Sequence, residues 1–112
     1  MLGECHAHVI MDGKNYKEAV ALHKNGVVED VIHECFTKYR EAGITFIRDG
    51  GDSYGVSKRA KELAQEYNIQ YVTPIFAIHK KGHYGSIVGE KDDGIKFKHL
   101  LHSNIECEIL LK

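Results

Sequence analysis

Two histidines two residues apart, His6 and His8, are the residues whose type and spacing could do chemistry in this 112-residue chain. Neutral imidazole is a good ligand for borderline-soft divalent ions such as zinc. On a β-strand, side chains two apart project from one face, so both rings can reach one ion. A metal held there would lower the pKa of a bound water and polarise a carbonyl. The spacing by itself is weak. His-x-His arises by chance in a chain with eight histidines, and two non-ligating histidines on a strand compete with a ligand pair on even terms. Position tips the balance. The pair sits at the C-terminal end of a strand-like run and is followed by Asp12-Gly13. In parallel α/β architectures that end is where sites are built.

The elements that must hold the pair are legible from periodicity. Residues 2–10 read as a short strand closed by a turn at Met11-Asp12-Gly13. One helical turn is expected near Tyr16–His23. From Val27 to Ala42 the residues Val28, Val31, Ile32, Cys35, Phe36, Tyr39 and Ala42 recur at helical spacing. Glu29 and Asp30 at the start, Lys38 and Arg40 at the end, and Gly43 as a left-handed cap all agree with a helix. Ile44–Ile47 is a second strand, stopped by Asp49-Gly50-Gly51. A second long helix is expected over Tyr54–Tyr67, capped by Asp52 or Ser53. Residues 69–77 form the third strand, irregular at Pro74. The order β-α-β-α-β, with apolar strands and amphipathic helices, predicts an α/β fold with parallel strands. Residues 96–103 suit a short helix and residues 105–111 an alternating strand.

Composition narrows the function classes. A 43% apolar, 28% charged chain can build a core. The formal net charge of −1 carries no basic excess that would point to nucleic acid. No apolar stretch approaches a membrane span, and Met1-Leu2-Gly3-Glu4 lacks signal-peptide character. Three cysteines without a close pair (Cys5, Cys35 and Cys107) read as reduced thiols of a cytoplasmic protein.

Three segments together resemble one family. Gly3-Glu4-Cys5-His6-Ala7-His8 with Met11-Asp12-Gly13 is similar to the first-strand signature of the amidohydrolase superfamily. Ala42-Gly43-Ile44-Thr45-Phe46-Ile47-Arg48-Asp49-Gly50-Gly51 resembles the second strand of its imidazolonepropionase-like and prolidase-like members. Gly82-His83-Tyr84-Gly85 looks like the glycine-bounded histidine loop after their third strand. The three occur in the right order and span residues 2 to about 90.

The resemblance implies a (β/α)8 barrel with one or two divalent metals, zinc above all. A metal-activated water then attacks a carbon–nitrogen bond, other than an ordinary peptide, in a small-molecule substrate. His6 and His8 match two ligands of the more buried metal, and His83 matches a substrate contact. A solvated loop histidine is the equal alternative for His83. The family's other ligands lie on later strands. A whole barrel needs roughly 250 residues, so about three β/α units are expected here, a partial barrel. Residues 1–90 then form the N-terminal β-α-β-α-β portion and residues 91–112 a divergent segment of a truncated or frame-disrupted product. Two histidines rarely make a tight zinc site, which wants three or four protein ligands. The isolated chain is therefore expected to bind metal weakly or to assemble with other chains, copies of itself included. Lys112 ends the last strand-like run, where a bridging lysine would be sought, but a solvated terminal lysine is favoured.

Two rival readings stay open. Histidinol-phosphatase-type phosphoesterases and TatD-like nucleases also begin with His-x-His on the first strand. Against the former, the second strand here ends Arg48-Asp49-Gly50 rather than Thr-Asp-His. The other rival is a non-catalytic α/β remnant or binding module. Elsewhere, His23, His33 and His79 read as surface residues, Cys35 as core, Cys5 as facing the covering helices, Asp12 as a turn former, and Arg48-Asp49 as structural.

Overall fold

The computed structural model describes residues 2–77. The expectations that fall on residues 78–112, among them His79, His83, the helix over 96–103, the strand over 105–111 and Lys112, lie outside the described residues.

Three parallel strands form one sheet in the order β1-β2-β3, with β1 at Leu2–Ala7, β2 at Ile44–Asp49 and β3 at Gln70–Val72. Helices α1 (Tyr16–Ala21) and α2 (Glu29–Glu41) connect β1 to β2, and α3 (Val56–Leu63) leads toward β3. The α/β class with parallel strands is thus as read from the sequence.

Local chemistry explains most boundaries. Asn15 caps α1, its side chain accepting from the backbone N–H groups of Lys17 and Glu18. Asp12 makes the preceding turn, accepting from Lys14 and Asn15 N–H, as expected. α2 ends at Gly43, whose φ of 79° is the left-handed conformation that stops a helix. Asp52 caps α3 from a distance, accepting from the N–H groups of Tyr54, Val56 and Ser57. The last turn before Asn68 tightens to a 3₁₀ turn, Ala64–Tyr67, so the expected single helix over 54–67 is split.

The core lies between the sheet and α2 and α3. Ile32, Phe36, Ile47, Val56 and Ala60 are fully buried. Each large apolar side chain among them stabilises the fold by about 1.5–3 kcal/mol. The Phe36 ring packs edge-on to Tyr71 of β3 at 5.7 Å, which ties α2 to the far strand. Arg59 bonds Glu29 at 2.5 Å and bridges α3 to α2, but both side chains are exposed and screened by solvent, so the pair adds little.

Two strands are shorter than expected, and the causes are side chains. β1 ends at Ala7 rather than residue 10, because Asp49 takes the N–H of Val9 and a turn closes from Met11 N–H to the His8 carbonyl. β3 stops at Val72. Thr73 Oγ1 then accepts from Ile75 N–H, and the Ile75 carbonyl accepts from Asp52 N–H and Ser57 Oγ. The chain leaves the sheet to fold over the start of α3. Cys5, expected to face the helices, is exposed. The register between β1 and β2 slips between Glu4 and Ala7, so Ala7 takes the buried place.

Of the two described histidines expected at the surface, His33 is half-buried and His23 is buried. His33 bonds the Tyr67 hydroxyl. His23 is 2% exposed, and its Nδ1 accepts from Val28 N–H just before α2. That bond requires a neutral ring protonated on Nε2, and Nε2 has no hydrogen-bond partner. Burial pushes the His23 pKa below its ordinary value, only partly opposed by the Asp52 carboxylate. The folded state therefore disfavours the imidazolium. The stability that neutral His23 contributes is complete above about pH 6.5 and is lost as pH falls through its depressed folded value. Urea unfolding between pH 7.5 and 5 is expected to show a loss of stability on acidification that shrinks in His23→Gln. Its side-chain carbonyl can still accept from Val28 without titrating. Equal pH dependence in both proteins would contradict this account.

Candidate metal-ligand site

The site is built where β1 and β2 end side by side. His6 lies within β1 and His8 one residue past its end. The shortened strand does not separate them, since their ring centroids are 5.3 Å apart in an edge-on arrangement. Two imidazoles that close can share one ion. His6 is exposed and His8 half-buried. The Glu4 carboxylate accepts from His6 N–H, which braces the strand locally.

The His8 ring is oriented by the second strand's loop. Its Nδ1 lies 3.2 Å from the Gly51 carbonyl oxygen. A carbonyl can only accept, so Nδ1 is the donor, and in the neutral ring Nε2 keeps its lone pair. This is how a metal-ligating histidine is ordinarily braced, one nitrogen to a carbonyl and the other to the ion.

Asp49 holds the surrounding backbone. Its carboxylate is 1% exposed and accepts three hydrogen bonds: from Val9 N–H at 2.9 Å, Gly51 N–H at 2.6 Å and the Tyr71 hydroxyl at 2.5 Å. These donors lie just after β1, just after β2 and on β3. Burial pushes the Asp49 carboxyl above its usual range, against the opposing pull of its hydrogen bonds from Tyr71, Val9 and Gly51. Burial likewise pushes the Tyr71 hydroxyl far up, with the Asp49 charge beside it adding to the effect, so it stays a donor. The sequence reading of Asp49 as structural is correct, and its partners are these three groups.

A cleft of about 520 Å³ opens beside the pair, between the end of β1 and α2. His6, His8 and Asp12 line it from one side, and Cys35, Lys38 and Tyr39 from α2 on the other. Burial pushes the Cys35 thiol up to about 11, so it is no nucleophile near neutral pH. Tyr39 is pushed up to about 12 by burial. Lys38 is bonded to Glu34. The cleft can therefore admit a small molecule beside the imidazoles, but its α2 wall supplies no activated group.

Among the described residues, no group of three or more His, Cys, Asp or Glu side chains gathers to hold a metal. The structure brings two imidazoles, His6 and His8, together beside the cleft. No protein-family model, no curated protein and no solved structure matches the chain. No helix among the described residues is long and apolar enough to cross a membrane.

Asp49→Asn tests the bracing. One carbonyl oxygen and one amide NH2 cannot accept from Gly51 on one side and from Val9 and Tyr71 on the other. At least one buried donor is orphaned, at a cost of about 1–3 kcal/mol. Urea denaturation should show that loss, with His8 amide and ring resonances displaced in NMR spectra. Unchanged stability would mean that Asp49 does not hold the strand ends.

Proposed function

We propose that this chain forms β/α units of a barrel-type metal-dependent hydrolase of the amidohydrolase kind. His6 and His8 supply two ligands to a divalent ion, zinc by preference. The substrate is a small molecule with a carbon–nitrogen bond other than an ordinary peptide, and the cleft beside the pair offers it room. A bound ion would activate water and polarise the scissile carbonyl. The chain's own contribution is to present two imidazoles at the C-terminal end of a parallel strand and to hold one of them by its Nδ1. The other ligands that a tight site wants come from further strands.

One observation carries the reading. The two rings lie 5.3 Å apart, and the nitrogen of His8 that an ion does not need is already bonded to a carbonyl. Chance placement of two strand histidines does not require either feature.

Zinc titration by calorimetry on the full chain tests it. Weak binding of one ion per chain is expected, since only two ligands are in place. His6→Ala and His8→Ala should each weaken it by at least about tenfold, while His33→Ala leaves it unchanged. No zinc binding by the wild type, or binding that survives both substitutions, would overturn the assignment.

A further inference from the structure

Gly50 stands between Asp49 and Gly51, and its backbone does not require glycine. Among the described glycines, those with left-handed φ are Gly13, Gly26, Gly43, Gly51 and Gly55, and Gly50 is not one of them. An alanine there would meet no backbone strain. It would meet His8. A β-carbon on Gly50 would lie 2.4 Å from Cε1 of the His8 ring, 2.8 Å from Nε2 and 3.2 Å from Nδ1. Real β-carbons do not approach carbon that closely, so the ring would have to move. The absent side chain is the space in which the His8 imidazole lies.

Gly51 supplies the other half. Its φ of 85° suits glycine, and a β-carbon there would run into the Phe76 backbone at 2.6 Å. In this conformation its N–H donates to Asp49 and its carbonyl accepts from His8 Nδ1. One residue thus links the buried carboxylate to the half-buried His8 imidazole.

We propose that Gly50 and Gly51 are positioning residues for His8: Gly50 gives the ring its place and the Gly51 carbonyl fixes its proton on Nδ1, so that Nε2 is presented as the ligand atom. The last clause rests on the metal-ligand reading, whereas the placement and the tautomer do not. Gly50 is the residue to test, because Gly51 also carries the turn itself.

The experiment is long-range 15N–1H NMR of the His8 ring in the metal-free full chain at pH 8. The wild type should show one tautomer, protonated on Nδ1. Gly50→Ala should lose it, giving a mixture or the Nε2-protonated form. The circular dichroism spectrum should be retained, because the ring can swing aside. Zinc affinity measured on the same two proteins should fall about tenfold or more. If the wild type shows the single Nδ1–H tautomer and Gly50→Ala loses it, but neither binds zinc, the positioning stands and the metal reading fails. If the wild-type ring is a mixture, or Gly50→Ala leaves it unchanged, the positioning is wrong whatever zinc does. Should Gly50→Ala unfold, the Gly50→Ala/His8→Ala double variant decides. Recovery of the fold shows that the clash is with His8, and no recovery shows that alanine at 50 acts elsewhere and overturns the proposal.

Discussion

The Asp49 carboxylate, buried at the end of the central strand, accepts from Val9, Gly51 and Tyr71 and so joins all three strands at one end. A carboxylate out of water is costly unless its oxygens are hydrogen-bonded. Here burial still wins over the bonds, as the raised carboxyl shows. The structure tolerates that cost at the end of the sheet where the histidine pair sits. Taking Val9 N–H out of the ladder ends β1 at Ala7, and holding Gly51 N–H shapes the loop after β2. Both effects fall on His8, which lies between them in space.

The pair is therefore less a property of β1 than of the junction between β1 and β2. Alternation along a strand would put His6 and His8 on one face, but His8 has already left the strand. Its ring is kept near His6 by the glycine pair of the other strand, through Gly51 O and the open space at Gly50. Parallel strands need a long crossover connection, so a contact between residues 43 apart is natural at their shared end. The cleft against α2 then lies beside the imidazoles, walled by a thiol and a phenol that burial keeps protonated.

What was legible in the sequence follows a physical division. α2 could be read because its apolar stripe, its end charges and Gly43 are all local signals that agree. The parallel α/β class followed from the alternation of elements, and the ligand-pair candidate from spacing. Strand ends were not legible, because the Asp49 side chain from another strand and the contacts of the Ile75 carbonyl with the start of α3 decide them. His23 read as a surface residue because the burial of an imidazole depends on tertiary packing. Cys5 was misplaced by a register slip that no local pattern announces. Gly50-Gly51 read as a strand stop. Its relation to His8 exists only once the two strands are paired.

The most direct test of the central claim, that His6 and His8 are one ligand pair, is zinc K-edge X-ray absorption on the zinc-loaded chain. The account predicts nitrogen and oxygen neighbours at about 2.0–2.1 Å, with outer-shell scattering from two imidazoles. That scattering should fall to one imidazole in His8→Ala. A first shell containing sulfur, or two-imidazole scattering that persists in His8→Ala, would contradict it.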